Sequence, residues 1–133
     1  KPKLINPINQ SEDIGKRSDY SQIIRDNTEY DFLIQQNPEK KNVINELVSI
    51  IVDTVCYTKP TIRVNGEEKP SEVVKSVFLK LNSSHIEYVI ETMRNNSSDI
   101  HNIRNYLITA LYNAPNTISN YWSARVNHDM NKR

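Results

Sequence analysis

Asn37-Pro-Glu-Lys-Lys-Asn-Val-Ile-Asn-Glu-Leu-Val-Ser-Ile-Ile-Val-Asp-Thr-Val55 reads as a helix with its start signal written in front of it. Asn37 is a good capping residue, Pro38 suits the first helical position, where no N–H is needed, and Glu39 places negative charge at the positive end of the helix dipole. Behind that start, Val43, Leu47, Ile50, Ile51 and Val55 recur at the three- and four-residue intervals of one apolar helix face. The segment predicts a central helix of about five turns, which other elements must cover.

Downstream, Pro60 stops this helix, and Thr61-Ile-Arg-Val-Asn-Gly-Glu-Glu-Lys-Pro70 sets Asn65-Gly66, a strong two-residue hairpin signal, after a β-branched alternation. One small β-hairpin is expected over about residues 61–69. Ile62 and Val64 share one of its faces, and Pro70 ends the return strand and can open the next helix. Val73, Val74, Val77, Phe78 and Leu81 then form one helical stripe. Asn82 separates it from a second, in which Ser84-x-x-Glu87 makes a capping box for Ile86, Val89, Ile90 and Met93. Asn95-Asn-Ser-Ser98 supplies another cap. After it, Ile100, Ile103, Leu107, Ala110 and Leu111 define a helix that ends near Pro115, and a last helix carries Ile118, Tyr121, Trp122 and Val126.

Upstream, Ser18 or Asp19 can cap a short helix carrying Tyr20, Ile23 and Ile24, and a Thr28-x-x-Asp31 start precedes Tyr30, Phe32, Leu33 and Ile34. Residues 1–17 have few anchors for a core and read as a flexible linker from a preceding domain that has been cut away. Residues 18–133 read as one helical domain. Short connections fold its neighbouring helices back on one another. The expected fold class is mainly α, a compact helical bundle with one small β-hairpin.

The 133 residues suffice for one core. Lys plus Arg total 17 against 16 for Asp plus Glu, a formal charge of +1, so any nucleic-acid binding must be local. No apolar stretch approaches the roughly 18 residues of a membrane span, and a soluble, cytoplasmic protein is expected. The lone cysteine, Cys56, ends an apolar run and reads as a buried, inert thiol in a reducing compartment.

The patterns that carry chemistry argue against an enzyme. His85, His101 and His128 sit on three separate predicted helices with one isolated cysteine, so no metal is expected. Gly15 and Gly66, the only glycines, cannot build a phosphate loop, and no cofactor is expected. Glu87 and Glu91 share a helix face with Arg94 one turn on and read as a solvated charged face. No serine lies in a nucleophile-elbow pattern.

Two surfaces remain. Lys75, Lys80, Arg94 and Arg104 form a scattered basic set suited to phosphates, while Tyr106, Tyr112, Tyr121 and Trp122 gather aromatics near the end of the chain.

Three runs then become informative: Val74-Lys-Ser-Val-Phe-Leu-Lys-Leu-Asn-Ser-Ser-His-Ile-Glu-Tyr-Val-Ile90, Ile103-Arg-Asn-Tyr-Leu-Ile-Thr-Ala-Leu-Tyr-Asn-Ala-Pro115 and Val126-Asn-His-Asp129. With Asn27-Thr-Glu-Tyr-Asp-Phe-Leu33, Asp53-Thr-Val-Cys56 and Thr61-Ile-Arg-Val-Asn-Gly66, they resemble the carboxyl-terminal domain of the replication initiator protein A family of Gram-positive plasmids. The resemblance covers nearly everything after residue 17.

In that family an amino-terminal winged-helix domain binds origin repeats, and a linker joins it to a domain similar to the corresponding region of the primosome protein DnaD. The resemblance implies that residues 1–17 are that linker and that the rest docks host replication machinery, with host primase as the first candidate partner. DnaD-like domains carry a Tyr-x-x-x-Ile-x-x-x-Trp pattern. Here Tyr106 occupies the first position but Ala110 and Ala114 the others, so the DNA binding attributed to that pattern is not carried over.

The expected function is recruitment, with Tyr106, Tyr121, Trp122, Arg125 and His128 as the partner-binding residues. The alternative is a nucleic-acid-binding module that contacts single- or double-stranded origin DNA through Lys75, Lys80, Arg94 and Arg104. Self-association through an apolar helix face is a third reading.

Overall fold

The structure, a computed structural model, describes the backbone of residues 7–96 and 103–131 and the side chains of residues 15–94 and 103–119. Among the described residues are six α-helices and one hairpin: α1 (Pro7–Asn27), α2 (Tyr30–Gln36), α3 (Lys41–Val55), β1 (Thr61–Val64), β2 (Glu67–Pro70), α4 (Ser71–Phe78), α5 (Ser83–Asn96) and α6 (Ile103–Asn131). The fold is mainly helical, as the patterning predicts.

α3 is the hub. Ile44, Leu47, Ile50 and Ile51 are fully buried, and Val48, Val52 and Val55 nearly so. Burying each such side chain contributes roughly 1.5–3 kcal/mol, which is why α1, α2, α4, α5 and α6 all pack on this helix. The core they complete comprises Ile24, Leu33, Val74, Phe78, Leu81, Ile86, Val89, Leu107, Leu111 and Ala114, together with Ile62 and Val64 of the hairpin. Val73, placed on the buried stripe by its spacing, is instead 46% exposed.

Helix starts differ from their sequence signals because capping side chains turn to neighbouring carbonyls. Pro38 opens a short 3-10 turn at Pro38–Lys40 that leads into α3. Asn37 does not cap it: its side-chain amide and its backbone N–H both donate to the Leu33 carbonyl, at 3.0 and 2.9 Å, closing α2. Thr28 likewise closes α1 rather than opening α2, its buried hydroxyl donating to the Ile24 carbonyl at 2.7 Å. The start of α2 is turned instead by Glu29, in the left-handed region at φ 54°.

At α5 the cap is Asn82, not Ser84. The Asn82 side-chain oxygen accepts the His85 N–H at 3.2 Å, and His85 Nδ1 accepts the Asn82 N–H at 3.0 Å. This is the reciprocal logic of a capping box with an imidazole in the third position.

Two longer-range expectations change. α1 begins at Pro7 and takes in residues 7–17, which composition assigned to a linker. Pro7 suits a first helical turn, Gln10, Glu12, Lys16 and Arg17 are good helix formers, and Arg17 is tied into the bundle. α6 does not end near Pro115 but runs unbroken to Asn131. Proline removes one helical N–H and crowds the preceding turn, here at Leu111, yet its fixed φ is helical. Leu107, Leu111 and Ala114, anchored in the core, hold the helix on the near side.

The hairpin forms as expected, pairing Thr61 with Pro70 and Val64 with Glu67. Asn65 and Gly66 both take positive φ, 56° and 79°, as a tight primed turn requires. Ser71 pins its base, its N–H donating to the Pro60 carbonyl at 2.8 Å and its hydroxyl to the Lys59 carbonyl at 2.5 Å. The Asn65 N–H donates to the Thr109 hydroxyl at 3.0 Å, docking the turn on α6.

Candidate functional site

One turn-spaced row on α1, Arg17, Ser21 and Arg25, faces Asn45, Val48, Ser49 and Val52 of α3 across a polar cleft of about 320 Å³. The Arg25 guanidinium lies 4.4 Å from the centre of the Tyr30 ring, and the Tyr30 hydroxyl donates to the Asn45 side-chain oxygen. At the end of this row Asp53 receives two arginines. Arg17 donates to Oδ1 at 2.6 Å and Arg104 to Oδ2 at 2.8 Å, so one carboxylate joins α1, α3 and α6. Partial burial pulls the Asp53 carboxyl up, but the hydrogen bonds and charges of Arg104 and Arg17 outweigh it and hold it below its ordinary value.

Beyond Arg17 a second cleft of about 440 Å³ opens between α1 and the connection from α3 to β1. Lys16, Arg17, Lys75, Tyr20 and Tyr57 line it, with Val55, Cys56 and Thr58. Lys75 comes within 3.9 Å of Glu72, whose side chain is 90% exposed. Cys56 is half-buried at the cleft wall rather than enclosed in the core. A third hollow, apolar and about 220 Å³, lies beside Val43, Met93, Ile103 and Leu107.

Among the expected partner-binding residues, Tyr106 is half-buried against the core. Tyr121, Trp122, Arg125 and His128 fall on α6, with their side chains outside the described residues. The expected phosphate contacts are not brought together. Lys75 lines the second cleft, Arg104 is engaged by Asp53, and Arg94 lies 3.7 Å from Glu91 on α5. Lys80 is exposed just past α4. His85 serves as a helix cap and His101 lies outside the described residues. Among the described residues, no group of three or more His, Cys, Asp or Glu could hold a metal ion, and no helix is long and apolar enough to cross a membrane.

Periodicity did not single out Lys16, Arg17, Asp53 or Tyr57, and it read Tyr20 as a residue of a short helix with Ile23 and Ile24. One signal was present: Asp53 stands in the last turn of α3, where the dipole disfavours a carboxylate, so cationic partners could have been sought for it.

The sequence profile of a family of unknown function (DUF6017) matches residues 9–133. The chain belongs to that family. The match takes in all of α2 to α6 and most of α1, so both polar clefts and the whole of α6 lie within the family domain. No curated protein and no solved structure matches the chain.

Proposed function

We propose that this DUF6017 chain is the carboxyl-terminal docking domain of a plasmid replication initiator, which brings a host replication protein, primase first, to the plasmid origin. Recruitment raises the local concentration of the partner without any bond being made or broken, so no catalytic residue is assigned. Origin recognition belongs to a winged-helix domain joined ahead of α1, and the work is done in the cytoplasm.

The runs that carry the resemblance support this reading by folding as one unit. Val74–Ile90 and Ile103–Pro115 supply Val74, Phe78, Leu81, Ile86, Val89, Leu107, Leu111 and Ala114 to a single core around α3. The observation that carries the docking assignment is the length of α6. Its first half is anchored in the core. Ala114 is the last core residue on it among the described side chains, and the helix continues to Asn131. Positions 121, 125 and 128 therefore fall at i, i+4 and i+7 on a single helix, with 122 one turn before 125, the spacing at which a helix presents anchors to a partner's groove.

A pull-down with the immobilised chain and purified primosome components tests the assignment. Primase is retained by the wild type and lost with Trp122→Ala. Retention of no component would defeat the docking reading.

A further inference from the structure

The cleft between α1 and the α3–β1 connection has a chemistry that the docking helix does not explain. In a chain of formal charge +1, Lys16, Arg17 and Lys75 converge on one hollow, and Arg104 is held beside it through Asp53. Among the described residues, two acids meet these cations. Asp53 is shared between two guanidiniums, leaving that trio with a net positive charge, and Glu72 reaches Lys75 only at 3.9 Å from a 90% exposed position.

Aromatic rings stand among the cations. Tyr20 is half-buried and Tyr57 is 37% exposed, and both line the cleft. The volume of about 440 Å³ falls within the roughly 300–1,000 Å³ of sites that enclose small ligands, so it admits a base and the adjoining backbone of one strand rather than a duplex.

We propose that this cleft binds single-stranded nucleic acid, with Lys16, Arg17 and Lys75 on its phosphates and a base stacked on Tyr57. Cations that track a backbone beside rings that accept any base are the ingredients of sequence-tolerant single-strand binding. Paired bases offer no face to Tyr57, which favours a single strand over a duplex. The site is separate from positions 121–128 of α6, so strand binding and partner docking stand or fall independently.

Fluorescence anisotropy with the full chain and a labelled oligo-dT of roughly 12 nucleotides tests it. Three phosphate contacts predict a slope of log affinity against log salt of about −2 between about 50 and 200 mM. Lys16→Ala and Lys75→Ala each make the slope shallower by about 0.7 and weaken binding several-fold. Tyr57→Ala weakens it by roughly tenfold with the slope unchanged. Lys41→Ala, at the far end of α3 and about 20 Å from the cleft, binds as wild type.

The proposal is overturned if the strand does not bind at low salt, if the cleft variants bind as wild type, or if Lys41→Ala weakens binding as much as they do. A duplex or a poly-glutamate peptide that binds as tightly as the strand also overturns it. Lys16 and Tyr57 are exposed and Lys75 is half-buried, and unchanged melting of each variant ties any loss to the site.

Discussion

Asp53 is the residue on which three helices meet, and its stabilisation has a definite pH dependence. Its carboxyl is held below the ordinary 3.8 because the hydrogen bonds of Arg104 and Arg17 outweigh the cost of its partial burial. A depressed carboxyl pKa contributes stability that is complete above the unfolded value and is lost as pH falls through the folded one. Asp53→Asn should cost about 1 kcal/mol at neutral pH, a figure kept small because the carboxylate is one-third exposed. It should also flatten the loss of stability below about pH 4, read as melting temperature against pH.

His85 acts in a different window. Burial holds its imidazole below the ordinary 6.5, and Nδ1 must stay unprotonated to accept the Asn82 N–H. Its contribution to stability is therefore complete above the ordinary value and is lost as pH falls toward the lowered one, where the imidazole protonates and the cap breaks. His85→Ala should lose about 1 kcal/mol at neutral pH and remove the part of the pH dependence that sets in as pH falls below the ordinary imidazole value. The Asp53 role was legible only as a carboxylate in an unfavourable last turn, and the His85 role not at all. A carboxylate's partners are set by which helices converge on it, and the choice of Asn82 over Ser84 as cap depends on where the chain leaves α4.

At the scale of elements, α3, the hairpin, α4 and α5 were legible because each signal is local: an apolar period, a proline stop, or an Asn-Gly turn needing positive φ. The hairpin can be tested at that turn. Gly66 has φ 79° and open space where a Cβ would go, so Gly66→Ala costs about 1 kcal/mol from backbone strain alone, without a clash, measured by denaturant unfolding.

The start of α1 and the continuity of α6 were not legible, because composition and proline signals report local preference while tertiary anchoring decides the outcome. Arg17 on Asp53 ties down a segment that reads as linker, and Leu107, Leu111 and Ala114 hold α6 ahead of Pro115. Because α6 is continuous through Pro115, Pro115→Ala restores a helical N–H and relieves crowding, raising stability by about 1–2 kcal/mol after the lost rigidity of the unfolded chain is subtracted. A neutral or destabilising result would mean that Pro115 ends the helix.

For the whole molecule, one core makes stability and docking separable. Leu111 is fully buried where α6 meets the bundle, and Leu111→Ala should cost about 2–5 kcal/mol, seen as a lowered denaturant midpoint. Trp122→Ala lies beyond the last described core residue of α6 and should leave that midpoint near wild type. The candidate site divided along the same line. The aromatic positions on α6 were visible in the sequence, whereas the basic cleft draws Lys16 and Arg17 from α1, Tyr57 from a connection and Lys75 from α4, residues that only the fold brings together.

Calorimetric titration of purified host primase into the full chain, at near-physiological salt, tests recruitment most directly. The docking account predicts saturable binding that Trp122→Ala abolishes while the fold and its melting are retained. An absence of binding to a primase that is active on its own templates, or equal binding by Trp122→Ala, would contradict it.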